Sequence, residues 1–174
     1  MRIIIDSREQ LPLDFTRWPD VQVEVGTLSA GDYSLVGLED KFGLERKSIP
    51  DLVSSLTTGR ERMVRELERL RGFEFKAIIV EGTLGQIANH DYRSQANPES
   101  ILQTLAAWHI RYGIPTLWCG SAAGCAYQVR ALARWFLLDV QKRLEAIIKA
   151  HGEPGPATIF AQRNAGADSR ANRG

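Results

Sequence analysis

Gly31-Asp32-Tyr33-Ser34-Leu35 and, after a short excursion, Gly43-Leu44-Glu45-Arg46-Lys47-Ser48-Ile49-Pro50-Asp51 are the segments from which the fold is read. Each opens on a glycine turn and continues with residues suited to an extended chain. Side chains alternate across a strand, so Glu45 and Lys47 share one face and Arg46 takes the other. Ser48 has the chemistry of a helix N-cap, with Pro50 in the first turn and Asp51 three residues after the cap. Strand must therefore pass into helix just beyond the charged tripeptide.

Working outward, Ile3-Ile4-Ile5 is a β-branched run that reads as a buried strand over residues 2–6, closed by Asp6. Val21-Gln22-Val23-Glu24-Val25 alternates and predicts a strand with its valines on a buried face. Together with the strands at 32–36 and 42–47 it predicts an antiparallel meander. Leu52, Val53 and Leu56 give the helix after Ser48 its apolar stripe; Met63, Val64, Leu67 and Leu70 do the same for a charged helix from Arg60. Phe75 to Val80 is another core strand, ending at Glu81, followed by a polar loop. Asn97-Pro98-Glu99 starts a helix that buries Ile101, Leu102, Leu105, Trp108 and Ile110. Thr116 to Cys119 is the next strand, and Ser121 opens a helix to about Ala150, on the order of 45 Å long. The expectation is an α/β fold, a central mixed sheet flanked by helices on both faces.

A chain of 174 residues with 44% hydrophobic and 25% charged residues suits one globular domain, placed at 1–151. Residues 152–174 turn to Gly, Ala, Pro and Arg without periodicity and read as a disordered tail. The net charge of +1 gives no global basicity, so any phosphate-binding surface must be local. Cys119 and Cys125 match no zinc spacing or disulfide framework, and no apolar run reaches the length of a membrane span. A soluble, cytoplasmic protein with no membrane role is expected. His90, His109 and His151 have no ligand spacing, and no glycine-rich phosphate loop appears, so ATP is not implied.

Asp6, Asp32, Glu45 and Lys47 form the strongest constellation. Mg²⁺ and Mn²⁺ take oxygen ligands and keep several waters. Such a cation lowers the pKa of its water and offsets charge developing on a phosphodiester. A lysine beside it can orient that water or stabilise the transition state. These residues suit a metal-dependent nuclease.

The same residues resemble the signature of the XPF-type structure-specific endonucleases (the XPF/Hef/Mus-like group), a branch of the PD-(D/E)xK superfamily. The matching parts are Asp6-Ser7-Arg8-Glu9, Gly31-Asp32, and Glu45-Arg46-Lys47 with Asp51, and the likeness extends over roughly residues 2–145. The resemblance implies a restriction-endonuclease-like core, and a Mg²⁺ or Mn²⁺ ion at Asp6, Asp32 and Glu45 with Lys47 catalytic. It further implies that Arg8 and Arg46 belong to the catalytic signature. Arg8 is expected either to contact the scissile phosphate or to hold Asp6. Arg46, facing away, is expected to pair with Asp51 or Glu9. Asp51 is left between capping Ser48 and supporting the site, and Glu81 is a further possible supporting acid. Arg60 stands out as a DNA phosphate contact; the other arginines of its helix read as an ion-paired, solvated face.

Trp135-Phe136-Leu137-Leu138 makes the last helix apolar on more than one face. With the resemblance, this predicts a homodimer or heterodimer through the C-terminal helices. The helix-hairpin-helix motifs with which the family commonly grips duplex DNA are not found in this sequence, so a partner protein or the Arg-containing tail is expected to supply that grip. The reading is a DNA endonuclease acting near single-strand/double-strand junctions in flap or fork DNA. Two alternatives remain: a non-catalytic structure-specific DNA-binding subunit of a nuclease heterodimer, and a restriction-like duplex nuclease.

Overall fold

Among the described residues five of the six strands run in one direction; the chain turns into the reversed strand through residues 27–32 and out of it through residues 36–41. The structure, a computed structural model, describes residues 1–153. The expected tail at 152–174 therefore lies, beyond its first two residues, outside the described residues. The strands are β1 (Arg2–Asp6), β2 (Gln22–Gly26), β3 (Tyr33–Leu35), β4 (Phe42–Ser48), β5 (Phe75–Glu81) and β6 (Thr116–Trp118). They form one mixed sheet in the order β2-β1-β3-β4-β5-β6. β3 alone is antiparallel to its neighbours, β1 and β4. β4 pairs in parallel with β5, and β5 with β6.

The expected meander is corrected in one respect. β2 pairs with β1, in parallel, rather than with β3. β1 buries Ile3 and Ile5 and takes a partner on each edge, which leaves β2 at the rim of the sheet. The valine face of β2 is also the reverse of expectation. Val23 and Val25 are 45% and 73% exposed, and Glu24 pairs across the rim with Arg2. Alternation alone cannot say which face of an edge strand meets the core.

The helices are α1 (Ile49–Leu56), α2 (Arg60–Leu70), α3 (Leu84–Ala88), α4 (Pro98–Tyr112) and α5 (Ala122–His151). α2 is mostly charged, and Met63, Leu67 and Leu70 are its buried anchors. Each contributes roughly 1.5–3 kcal/mol of burial, enough to dock a helix whose remaining residues favour water. With Leu52 and Val53 of α1, Ile78 and Val80 of β5, and Ile101, Leu105 and Trp108 of α4, they form the core. α4 starts at the Asn97 cap and stops where Gly113 turns left-handed, φ +67. Ile110, expected inside, is 87% exposed, because Trp108 and Tyr112 take the buried stripe.

Within the predicted loop after β5 lies α3, whose Thr83 and Gln86 complete a capping box. The chain divides into two compact units, Met1–Phe136 and Leu137 onward, with α5 beginning in the first and ending in the second. In the first, Phe136 packs on Phe42 at 5.3 Å between ring centroids while Trp135 is 68% exposed. In the second, Leu144 and Ile147 are exposed. No helix among the described residues is long and apolar enough to cross a membrane.

Candidate active site

Strands β1, β4 and β5 point the same way, so their carboxyl ends lie together, and each ends in charge. Asp6 closes β1, Glu45 to Ser48 close β4, and Glu81 closes β5 opposite Ser48. The first residue ahead of β3 completes the set. Asp32 donates its backbone N–H to the Leu44 carbonyl at 2.8 Å and accepts the Asp6 N–H on its own carbonyl at 2.9 Å. Its Oδ2 accepts the Arg46 N–H at 2.7 Å. The glycine before it is required by geometry. Gly31 has φ +77, and a Cβ there would lie 3.1 Å from the Leu44 oxygen.

The alternation of β4 gives its two faces different chemistry. On one, Lys47 hydrogen-bonds Oε1 of Glu45, itself 7% exposed. On the other, the Arg46 guanidinium reaches Glu81 Oε1 and the Leu11 carbonyl, both at 2.5 Å, and Glu9 at 3.3 Å. Asp51 does not join Arg46; it is capped against Ser48, whose Oγ donates to Oδ2 at 2.6 Å. Asp6 is held still more closely. The Arg8 N–H and Nε reach its Oδ1 at 2.8 and 2.7 Å, and Arg8 Nη2 and the Leu28 N–H reach Oδ2 at 2.9 and 2.8 Å.

These partners set the charges. The Arg8 guanidinium holds the Asp6 carboxyl below the usual range, with backbone N–H groups adding to it. Burial pushes Glu45 up to about 7, the charge of Asp32 adding to the effect and Lys47 opposing it. Burial also raises Asp32. For Lys47, burial works against the charged form, but Glu45, Asp32 and Asp51 outweigh it and the ammonium is retained.

Asp6, Asp32, Glu45 and Lys47 line one cleft of about 320 Å³, which adjoins another of about 480 Å³. The two share Arg8, Asp32, Lys47, Ser55 and Arg62, and the larger also takes in Glu9, Arg46, Asp51 and Glu81. Arg60 lines neither: its guanidinium lies over the Trp108 ring at 5.8 Å and 3.5 Å from the Thr104 hydroxyl. Two cleft residues went unrecognised in the sequence. Arg62 lines both parts, and Glu66 accepts the Gly31 N–H at 2.6 Å while pairing with Arg69. Their spacing of four, with Arg69 three further on, marks one polar stripe of α2.

No three His, Cys, Asp or Glu side chains among the described residues meet as a ready cation cluster. Both oxygens of Asp6 accept N–H groups, from Arg8 and from Leu28. Asp32 and Glu45 do suit a hard divalent cation. Each offers an oxygen, Oδ1 and Oε2, without a protein hydrogen bond among the described residues.

A pH test follows from Glu45. Its folded pKa lies above the ordinary glutamate value of 4.5, so the folded state binds its proton more tightly than the unfolded chain. That stability is fully present below the unfolded pKa and is lost as pH rises through about 7. The melting temperature of metal-free protein is expected to decline from pH 5 to pH 8, and Glu45→Gln to shallow that decline. Differential scanning fluorimetry in chelator reads both; parallel curves for the two proteins would place the titration elsewhere.

The ERCC4 domain family model matches residues 5–132. A structure of XPF from Aeropyrum pernix is similar with a TM-score of 0.64 and 30% identity, over 78% of this chain and 61% of that one. XPF from Aeropyrum pernix in complex with DNA is similar with a TM-score of 0.60 and 29% identity, over 79% of this chain and 66% of the other. The chain thus spans less than two thirds of either. No curated protein matches it. The mixed six-stranded sheet with its helices is an α/β fold of the restriction-endonuclease-like kind.

Proposed function

Since this chain belongs to the ERCC4 domain family, we propose that it is a divalent-metal-dependent DNA endonuclease acting near single-strand/double-strand junctions in flap or fork DNA. One observation carries the reading. Two carboxylates, each with a free oxygen, and a charged lysine converge in a cleft at the carboxyl ends of parallel strands. The relative from Aeropyrum pernix solved with DNA supports the substrate class.

Asp32 and Glu45 are the residues that would hold Mg²⁺ or Mn²⁺. When bound, the ion lowers the pKa of water and offsets charge on the phosphodiester. Lys47, kept charged and fixed by Glu45, presents its N–H groups to the attacking water or to a non-bridging phosphate oxygen. Asp6 acts through Arg8, whose side chain is 67% exposed and faces the cleft. The guanidinium, oriented by the carboxylate, is available to a phosphate. Arg46, Glu9 and Glu81 fix the backbone around the site, and Asp51 caps α1 beside it. Exposed Trp135 on α5 and Ile110 on α4 support a homodimer or heterodimer through the C-terminal helices.

Purified protein with Mn²⁺ or Mg²⁺ is expected to cut flap and fork DNA at least about tenfold faster than plain duplex of the same sequence. Equal rates on both would point to a restriction-like duplex nuclease. A folded protein inert on every substrate would sink the enzymatic reading and favour a non-catalytic subunit.

A further inference from the structure

Among the described residues, every cationic side chain that lines the cleft is tied to a carboxylate, save one. Arg8 is bonded to Asp6, Arg46 to Glu81 and Glu9, Lys47 to Glu45, and Arg69 to Glu66. Arg62 lines both parts of the cleft and, among the described residues, makes no ion pair or hydrogen bond through its side chain. It is exposed and lies in the first turn of α2, one residue before Met63, which anchors that turn in the core. The helix therefore fixes the backbone while leaving the guanidinium free. A solvated arginine on a charged helix usually finds an acid three or four residues away. Here that acid, Glu66, is occupied by the Gly31 N–H and by Arg69.

The surroundings give that free charge a purpose. Asp6, Asp32, Glu45, Glu66, Asp51, Glu9 and Glu81 make the cleft rich in carboxylates. A polyanion entering it meets repulsion that paired cations only partly offset. An unpaired guanidinium at the rim common to both parts supplies bidentate N–H donors in a form that matches a phosphate. We propose that Arg62 is a phosphate-binding residue that grips the DNA backbone beside the reacting bond, the role that the family resemblance suggested for Arg60. This rests on the nuclease reading of the cleft. Its contribution is to position the strand, and it carries no base information.

Binding of a fluorescein-labelled fork, measured by anisotropy across a potassium chloride series, tests this directly. Ca²⁺ replaces Mg²⁺ so that its looser coordination slows cleavage. Arg62→Gln is expected to raise Kd about tenfold and to lower the slope of log K against log salt by about 0.9, the loss of one phosphate contact. Arg62→Lys should keep the slope and recover part of the affinity, because it restores charge without the fork of donors. Arg65→Gln, on the same helix but lining neither part of the cleft, should leave the slope unchanged. Wild-type protein that binds and cuts the fork while Arg62→Gln keeps the same Kd and slope would overturn the role of Arg62 alone. Wild-type protein that neither binds nor cuts would remove this role together with the nuclease reading.

Discussion

Asp32→Asn is expected to abolish DNA cleavage, by roughly 10³-fold or more, without lowering the melting temperature. The two halves of the expectation have different causes. Asparagine keeps an oxygen for the Arg46 N–H, which Asp32 Oδ2 now accepts at 2.7 Å, so the link between β3 and β4 survives. It removes the negative charge that would draw a cation, and with it the electrostatic stabilisation of the reacting phosphate. Burial raises the Asp32 pKa, so its ionised form costs free energy in the folded state above the unfolded pKa. A neutral amide relieves that cost at pH 7, and stability should hold or rise, as it does where a strained functional charge is removed. Lys47→Ala should lose activity by a comparable factor, about 10²–10³, but leaves Glu45 buried without its ammonium. Asp32→Asn is therefore the cleaner variant. Single-turnover cleavage of a labelled fork, alongside a thermal melt, reads both quantities. Cleavage at the wild-type rate would exclude Asp32 from the chemistry, and a collapse of the melting temperature would assign it to the fold.

How much of this was legible follows the range of the interactions. The alternation of Glu45, Arg46 and Lys47 in β4 is a local property of an extended chain, and it sorted the two faces correctly before any partner was known. Ser48 and Asn97 marked helix starts by a hydrogen bond made within three residues. The place of β2 was not legible, because nothing in Val21 to Val25 says whether β1 or β3 is its partner; that depends on which strand edge is free after the hairpin closes. The exposure of Ile110 and the cleft-facing stripe of α2 depend likewise on how each helix is rotated against the sheet. Arg60 and Arg62 differ by about 200° around a helix axis, enough to put one over Trp108 and the other at the cleft. α3 was locally encoded in Thr83 and Gln86, and the polar residues following it obscured that signal.

Arg46→Leu is expected to fail in the opposite way from Asp32→Asn, through the fold first. Its guanidinium is 12% exposed and bridges Glu9 and Glu81, whose side chains are 13% and 17% exposed, as well as the Leu11 carbonyl. Removing it leaves two acids and a carbonyl short of a donor where water has limited access. Breaking such a buried pair from one side costs about 3 kcal/mol, the lower end of the usual range because Glu81 borders the cleft. For a chain of this size that corresponds to a melting temperature lower by roughly 6–12 °C. Arg46→Leu with Glu81→Leu should recover part of the loss, since an apolar pair leaves less unsatisfied charge than a lone carboxylate. A single variant that melts within 2 °C of wild type would mean that water, rather than the arginine, satisfies Glu9 and Glu81. Because the leucine keeps the backbone N–H that Asp32 Oδ2 accepts, the surviving folded protein should keep a measurable cleavage rate. Neighbours across the β3–β4 link would then answer to different assays: Asp32 to chemistry at full stability, Arg46 to stability with a measurable rate retained.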